Sequence, residues 1–323
     1  MLMTRGAVAG NVILVVGPGQ PYKSVSSAVA KADGDTNSAN YYTIEVTPGT
    51  YTNDFSTVTR PMTIESRAVG QPVVLNATAS PPNQKGIILN LSNLTVNGLT
   101  FQGSQIPNGS GGNGAGIRDQ NISTTTPYLI VLNSAFINNQ EGILTGNNSL
   151  QSVIIVNSIF ANNGNPNASF FQHALYVNDA GSLTVTGSVF CGQLIGHDIK
   201  SRALVTTVSD NQLYDGQADS AINCRAGSTS LAIDIANGGT AIISGNTIIQ
   251  GAASQNSKLV DYGEEGLPYN ANSFILLHNA FTNVGLLSAI GIYDPNCILA
   301  QSVGNTFTGV ATPVSPSGCA TFE

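Results

Sequence analysis

The sequence has no tryptophan, only 3 histidines and only 9 % charged residues among its 323 positions. Its 11 Lys and Arg stand against 18 Asp and Glu, which gives a net charge of −7. A nucleic-acid-binding protein normally carries a basic patch, so we expect no nucleic-acid partner. No apolar run approaches the length of a membrane span, and we expect no membrane association. The acidity still allows an anionic substrate, provided that the few cations are gathered in one cleft.

The four cysteines show neither a C-x-x-C motif nor a spacing typical of a zinc site. Cys297 and Cys319 are 22 residues apart and could bridge neighbouring turns of a coil, and Cys191 and Cys224 could do the same. Buried free thiols are an equal alternative. Residues 1–16 are largely apolar and end in the first predicted strand, Val12 to Val16. We interpret these residues as an expression start followed by a strand rather than as a signal peptide. We expect a secreted monomer whose signal segment has been removed.

A pattern repeats from Leu94 onward: apolar, any residue, apolar, two small or polar residues, any residue, bulky apolar. The bulky positions follow one another at intervals of 23 to 35 residues. A base period near 23–24 with insertions predicts a solenoid with loops on one face. The bulky positions are Phe101, Phe136, Phe160, Phe190, Leu213, Ile248, Phe281 and Phe307. Ser or Asn stands two residues before each of the last seven, where stacked polar side chains can hydrogen-bond along the axis.

A second apolar column runs between these segments, and its members are Ile117, Ile143, Leu175, Ile199, Ile233, Val260 and Ile290. Side chains alternate between the two faces of a strand, so the next residue of each coil should point outward. The outward column is Arg118, Leu144, Tyr176, Lys200, Asp234, Asp261 and Gly291.

Upstream, Val25, Ala28, Val29 and Ala32 fall at helical spacing and predict a short helix, which would cover the exposed edge of the first coil. We therefore predict an all-β fold: a single-stranded right-handed parallel β-helix of roughly ten coils, forming one domain over residues 1–323, with a short N-terminal capping helix.

Two short segments, H-A-L-Y-V-N at 173–178 and H-D-I-K-S-R at 197–202, match at an offset of 24 residues. If 24 residues make one coil, three pairs of reactive side chains lie side by side, because neighbouring strands are about 4.8 Å apart. The pairs are His173 with His197, Tyr176 with Lys200, and Asn178 with Arg202. In a chain with so few charges, this concentration predicts a functional site.

The repeating coils, the capping helix and the Asn column resemble the pectate-lyase-like β-helix superfamily, and the resemblance covers the whole chain at the level of architecture. It implies a carbohydrate-active protein, since polysaccharide lyases and glycoside hydrolases predominate there. Tyr176 and Lys200 with adjacent His and Arg are similar to the residues that β-helix alginate lyases use. Pectate lyases of this fold use calcium held by acids instead, and the clearer cationic rungs of this chain favour the metal-independent version.

β-Elimination of a uronate requires neutralisation of the C6 carboxylate, removal of the C5 proton and protonation of the leaving O4. We expect Arg202 to bind the carboxylate through its planar fork, with His173 and His197 as further donors. Tyr176, favoured as phenolate by the nearby ammonium, would be the base and Lys200 the acid, although the reverse assignment remains open. Both histidines could instead form a buried ladder at the turn. The expected substrate-binding residues are Asn178, Asp234, Asn237, Arg118 and Arg225.

The expected activity is therefore that of a polysaccharide lyase acting on an acidic polysaccharide, with alginate favoured and no cofactor. Calcium held by Asp261, Glu264, Glu265 and Asp294 is an alternative. A glycoside hydrolase using Asp234 and Asp261 and a non-catalytic carbohydrate-binding β-helix are the rival functions.

Overall fold

The computed structural model describes residues 10–285 and 288–319. In that part of the chain the strands form three parallel sheets, I, II and III, which the chain visits in turn. Each full turn adds one strand to every sheet, and this arrangement repeats through ten coils after one extra initial strand. The architecture is the predicted right-handed parallel β-helix. Residues 1–9 lie outside the described residues, and the predicted first strand begins just after them.

The strand bounds within the described residues are as follows. Sheet I contains β1 (Asn11–Val16), β2 (Tyr41–Val46), β5 (Met62–Ser66), β8 (Leu94–Asn97), β11 (Tyr128–Leu132), β14 (Asn148–Val156), β17 (Ala180–Thr186), β20 (Val205–Ser209), β23 (Thr240–Ser244), β26 (Ser273–Leu277) and β29 (Leu299–Val303). Sheet II contains β3 (Gly49–Thr52), β6 (Val73–Asn76), β9 (Thr100–Gln102), β12 (Ala135–Ile137), β15 (Ile159–Ala161), β18 (Val189–Cys191), β21 (Gln212–Asp215), β24 (Thr247–Gln250), β27 (Ala280–Asn283) and β30 (Thr306–Thr308). Sheet III contains β4 (Ser56–Val58), β7 (Gly86–Asn90), β10 (Ala115–Asp119), β13 (Glu141–Thr145), β16 (Leu175–Val177), β19 (His197–Ser201), β22 (Leu231–Ile235), β25 (Lys258–Tyr262), β28 (Ile290–Tyr293) and β31 (Thr312–Ser315).

The helix α1 (Val25–Asp33) lies at the N-terminal end, where it packs against β1, β2 and β4. Ser24 caps it by accepting a hydrogen bond from the backbone N–H of Ser27, at 3.1 Å. The Asp54 carboxylate accepts the backbone N–H groups of Val25 and Ser26, which places a negative charge at the positive end of the helix. The predicted capping helix is thus confirmed. Two short 3₁₀ helices, Asn108–Ser110 and Ser220–Ile222, lie in loops, and no helix in the described part of the chain is long and apolar enough to span a membrane.

Stacked aromatic rings form the centre of the core. The rings of Phe101, Phe136, Phe160 and Phe190 are nearly parallel, with centroids 4.6–5.1 Å apart on successive coils of sheet II. All four are fully buried. Phe307 stacks on Phe281 at 4.9 Å but is only half-buried. The predicted buried column is therefore confirmed except at Phe307, which lies on the last strand of sheet II among the described residues.

The predicted polar column forms a continuous ladder at the turn between sheets I and II. Each Ser or Asn side-chain oxygen accepts the backbone N–H of the corresponding residue one coil earlier, at 2.8–3.2 Å. Asn side chains also donate to backbone carbonyls of the preceding coil; Asn246 Nδ2, for example, lies 2.8 Å from the Val208 oxygen. The ladder satisfies buried backbone donors that the tight turn would otherwise leave without partners.

The strand register predicted from the sequence is wrong at the end of the second apolar column. Val260 pairs with Ile292, and Asp261 pairs with Tyr293, so Ile290 and Gly291 stand two residues too early. Because side chains repeat every second residue along a strand, a shift of two preserves the apolar pattern and cannot be recognised from hydrophobicity. Tyr293 therefore takes the outward position that Gly291 was expected to occupy.

All four cysteines are paired, as Cys191–Cys224 and Cys297–Cys319. The first bridge joins β18 to the loop of residues 216–230, and the second ties the C-terminal segment to the turn after β28. The buried-thiol alternative is wrong. Both bridges fix loops that leave the coil, where the strand ladders cannot hold the chain.

Replacing Asn246 by Ala tests the ladder. The substitution leaves the buried N–H of Asn211 without its acceptor and also removes a bond between the two side chains. A buried donor without a partner costs about 1–3 kcal/mol, so the free energy of unfolding should fall by at least that amount in urea titrations. Gln212→Ala, at an exposed position on β21, is the control and should change it by less than about 0.5 kcal/mol. Equal effects of the two substitutions would contradict the assigned role of the ladder.

Candidate functional site

Sheet III presents the predicted outward column in the predicted register. Leu144 on β13 lies beside Tyr176 on β16, and Tyr176 lies beside Lys200 on β19. Lys200 is followed by Asp234 on β22, and Asp234 by Asp261 on β25. The inward neighbours along this part of the column are fully buried. The coil period thus brings a phenol and an ammonium onto adjacent rungs of one face.

The two cations of β19 and its following turn hold one carboxylate between them. Lys200 Nζ lies 2.7 Å from Glu265 Oε1, while Arg202 Nη2 and Nε lie 2.5 and 3.1 Å from Glu265 Oε2. Lys200 Nζ also lies 2.5 Å from Asp234 Oδ2. The Lys200 side chain is only 7 % exposed, whereas those of Arg202 and Glu265 are 32 % and 43 % exposed. The carboxylate of Glu265 is therefore held at the surface of the site, above a buried ammonium.

Tyr176 is hydrogen-bonded to the same arginine. Arg202 Nη1 donates to the Tyr176 hydroxyl and lies 3.4 Å from Asn178 Oδ1, so the predicted pairing of Asn178 with Arg202 is present. The guanidinium carbon lies 5.3 Å from the centre of the Tyr176 ring, and Lys200 Nζ lies 5.9 Å from it. One arginine thus connects the phenol, an amide and the bound carboxylate.

Burial and charge act in opposite directions on these groups. Burial raises the pKa of Tyr176, and the nearby Arg202 and Lys200 offset this only in part, so the pKa stays above its usual value. Lys200 thus favours the phenolate, as expected, but burial outweighs its effect and the phenol is the main form at neutral pH. Burial alone would lower the pKa of Lys200, but the carboxylates of Asp234 and Glu265 outweigh it and raise the pKa. At neutral pH the site contains a phenol and an ammonium.

The two histidines form a buried ladder at the start of the strands. Their ring centroids are 4.8 Å apart, and His173 Nδ1 accepts the backbone N–H of His197 at 3.0 Å. The His173 ring also meets the Tyr176 ring edge-on at 5.0 Å. Burial lowers the pKa of both histidines, that of His197 to about 3. They are therefore neutral at ordinary pH, and the structure matches the buried ladder better than a pair of cationic donors.

The remaining predicted ligands are dispersed. Arg118 lies two rungs before Tyr176, with Leu144 between them; its pKa is lowered by burial, and Glu141 opposes this shift. Asn237 is half-buried in the turn after β22, and its Oδ1 has no hydrogen-bond partner among the described residues. Arg225 is exposed in the loop of residues 216–230, which a disulfide holds against β18 of sheet II. That placement removes Arg225 from the sheet III face.

The four acids considered for calcium are engaged by other groups of the protein. Asp261 and Glu264 both bind Lys258, at 3.0 and 2.8 Å, and Glu265 is bound by the site cations. Asp294 accepts the backbone N–H of Leu299 at 2.7 Å. Among the described residues, no group of three or more His, Cys, Asp or Glu side chains could hold a metal ion. The acid cluster considered as a calcium site is therefore not assembled in this conformation.

Sequence reasoning missed the role of Glu265 because it comes from two coils further along the chain. It lies in the turn G-E-E-G directly after β25, and its backbone N–H donates to the Ala236 oxygen at 3.0 Å. This backbone anchor directs the residue back toward Lys200. A pair of acids between two glycines, directly after the strand that carries Asp261, was the available signal.

Comparisons with known proteins give little at the level of sequence. No family model matches the chain, and no curated protein matches it. Among solved structures, it is similar to a mutant of the PL6 family alginate lyase AlyGC, with a TM-score of 0.46 and 12 % identity. The match covers 100 % of this chain and 40 % of that protein. A likeness at this level transfers no activity, so the function of this chain has to rest on its own residues.

The buried ladder predicts that His173 and His197 do not titrate near neutrality. Between about pH 8 and pH 5, their ring-nitrogen NMR signals should stay at neutral-imidazole values, because burial lowers both pKa values. His278→Gln removes the third histidine signal and leaves the two to be assigned. A midpoint near the ordinary value of about 6.5 at either ring would contradict the neutral ladder and restore a cationic role.

Proposed function

We propose that the protein is a polysaccharide lyase that cleaves a uronic-acid-containing polymer by β-elimination, with alginate as the favoured substrate. The observation that supports this most directly is the carboxylate of Glu265, held by Lys200 and Arg202 beside the Tyr176 hydroxyl. A uronate presents the same chemical group: its C6 carboxylate is attached to C5, the carbon that carries the proton to be removed. The geometry therefore combines carboxylate recognition with a proton-transferring phenol.

In the proposed complex the C6 carboxylate of the substrate replaces that of Glu265. The planar fork of Arg202 suits a carboxylate bidentately, and Lys200 adds a second positive charge. Neutralisation stabilises the negative charge that develops as the C5 proton leaves, and a preorganised site does so without reorganisation. These two cations supply the charge that calcium would provide, so we propose that no metal is required.

Proton transfer falls to Tyr176 and Lys200. The Tyr176 phenolate takes the proton from C5, the released electron pair forms the C4–C5 double bond, and the C4–O4 bond breaks. Lys200 gives its proton to O4, which leaves with the adjoining sugar. Because the pKa of Lys200 is raised, it keeps the proton it must donate, while the raised pKa of Tyr176 makes the reactive phenolate a minor form at neutral pH. The combination favours activity at alkaline pH.

The flanking residues take supporting roles in this scheme. We propose that neutral His173 and His197 position Tyr176 and Asp234 rather than carry charge. Asn178 Nδ2 already donates to the Thr145 oxygen, so we propose that its Oδ1, 3.4 Å from Arg202 Nη1, accepts a sugar hydroxyl as well. Arg118 would bind the carboxylate of a neighbouring unit. The two disulfides are typical of an oxidising compartment, which supports secretion.

A glycoside hydrolase would use a pair of carboxyl groups about 5–9.5 Å apart across the scissile bond. Asp234 and Asp261 stand on adjacent rungs, but both are buried and paired with lysines. Neither presents a free carboxyl group to a sugar. The outward face therefore favours elimination over hydrolysis, and a non-catalytic binder would form neither unsaturated product nor new reducing ends.

Tyr176→Phe tests the proton-transfer role. The change removes only the hydroxyl, and a general acid or base typically contributes about 10²–10⁴-fold, so turnover of alginate should fall by that factor. The measurement is the ultraviolet absorbance of the unsaturated product, with polymer binding followed separately and expected to persist. Tyr41→Phe, at a half-buried tyrosine of sheet I, is the matched control and should keep full activity. Near-normal elimination by the Tyr176 variant would rule out the scheme.

Glu265→Gln tests whether this side chain occupies the place of the substrate carboxylate. Removing the competing charge should lower KM for the polymer several-fold. Since Glu265 raises the pKa of Tyr176 in the free protein, its loss should also move the alkaline rise in kcat/KM to lower pH. Steady-state kinetics at several pH values measure both effects. A higher KM together with a lower kcat would instead mean that Glu265 holds Lys200 and Arg202 in place for catalysis.

A further inference from the structure

Two consecutive phenylalanines that precede β16 are exposed, and the second of them lies beside the site. Phe170 is 41 % exposed and Phe171 is 52 % exposed, whereas most of the other phenylalanines are buried in the core. An exposed aromatic ring that the core does not use is available to contact a ligand bound at the neighbouring site. Neither ring is needed by the core, which the stacked phenylalanines of sheet II already fill.

The backbone around this pair is firmly held. Gln172, the next residue, is fully buried; its side chain donates to the Gly112 oxygen and accepts the N–H of Asn165 at 2.6 Å. His173 is also buried, and its N–H donates to Glu141 Oε2 at 2.7 Å. Phe171 is thus an exposed ring attached to a fixed backbone. An apolar ring that is ordered before binding loses little conformational entropy when a ligand covers it.

Close ring contacts connect Phe171 to the proposed catalytic tyrosine. The Phe171 ring lies 5.9 Å from the ring of His197, which lies 4.8 Å from that of His173. His173 in turn contacts Tyr176 at 5.0 Å. Phe171 precedes β16 and Arg202 follows β19, so the exposed ring and the guanidinium lie at opposite ends of the strands that carry Tyr176 and Lys200.

We propose that Phe171 forms an aromatic platform that stacks against a pyranose ring of the polymer, next to the sugar whose carboxylate binds Arg202. The inference rests on the proposed function and adds a subsite to it. One face of a pyranose presents C–H groups, which suit the electron-rich face of an aromatic ring, while its rim of hydroxyls needs polar partners. An apolar ring bordered by polar groups is the usual lining of a small-ligand site.

A sugar fits this surface better than a protein partner does. Stable protein interfaces bury about 1,200–2,000 Å², which is far more than two rings provide. The face between Phe171 and Arg202 carries Tyr176 and Lys200, and this combination suits a charged, hydroxylated chain. Continuity with the carboxylate-binding cations therefore favours the polymer as the occupant.

The test compares Phe171→Ala and Phe171→Trp on alginate oligomers of increasing length. Stacking platforms that bind nucleobases lose about tenfold or more in affinity on alanine substitution, so Phe171→Ala should raise KM by about that factor on long oligomers. It should leave kcat and the KM for the shortest cleaved oligomer unchanged. Phe171→Trp should restore the KM, because it keeps an aromatic face. Ile13→Ala, which removes an exposed apolar side chain on sheet I, should change neither constant.

Two results with the variants would overturn the platform. Unchanged KM in Phe171→Ala, or equal loss in the Ala and Trp variants, would assign Phe171 no stacking role. A wild-type protein that binds alginate without cleaving it would defeat the lyase proposal alone, since the same comparison can be made on dissociation constants measured by calorimetry. A wild-type protein that binds no uronate oligomer would remove both proposals.

Discussion

The hydrogen-bonded register between successive coils is the constraint on which the rest of the molecule depends. Once a coil closes, every residue lies about 4.8 Å from its counterpart in the next, so side chains far apart in sequence form continuous columns. The Phe stack and the Ser and Asn ladder hold that register from inside the coil. The same register places Tyr176 beside Lys200 on the outer face of sheet III. Core and site are thus two faces of one repeat.

Burial and neighbouring charges determine the protonation states of the ionisable groups in the site. Lys200 is buried against Asp234 and keeps its proton, while burial keeps Tyr176 protonated and the histidines neutral. Glu265 balances the cations when no other carboxylate is present. A substrate carboxylate would therefore exchange one ion pair for another rather than enter a site of uncompensated charge, and its affinity would depend on the difference between the two.

Sequence predicted what the period controls and missed what loops and burial control. The fold, the capping helix, the ladder and the pairing of Tyr176 with Lys200 all follow from spacing. The predicted outward column is wrong at Gly291, where Tyr293 takes the position, because a two-residue shift preserves the apolar alternation. The placements of Glu265 and Arg225 depend on turns and a disulfide that no periodicity specifies. The neutrality of the histidines reflects how deeply the turn buries them, which spacing alone does not reveal. The catalytic and binding roles remain predictions.

The central claim is that this outward face eliminates rather than hydrolyses. The most direct test is incubation of the wild-type protein with a panel of uronate polymers while ultraviolet absorbance and reducing ends are followed together. We expect both signals to rise on alginate, and to rise faster as the pH increases through the alkaline range, because the Tyr176 phenolate becomes more populated. Reducing ends without absorbance would contradict the account and indicate a hydrolase.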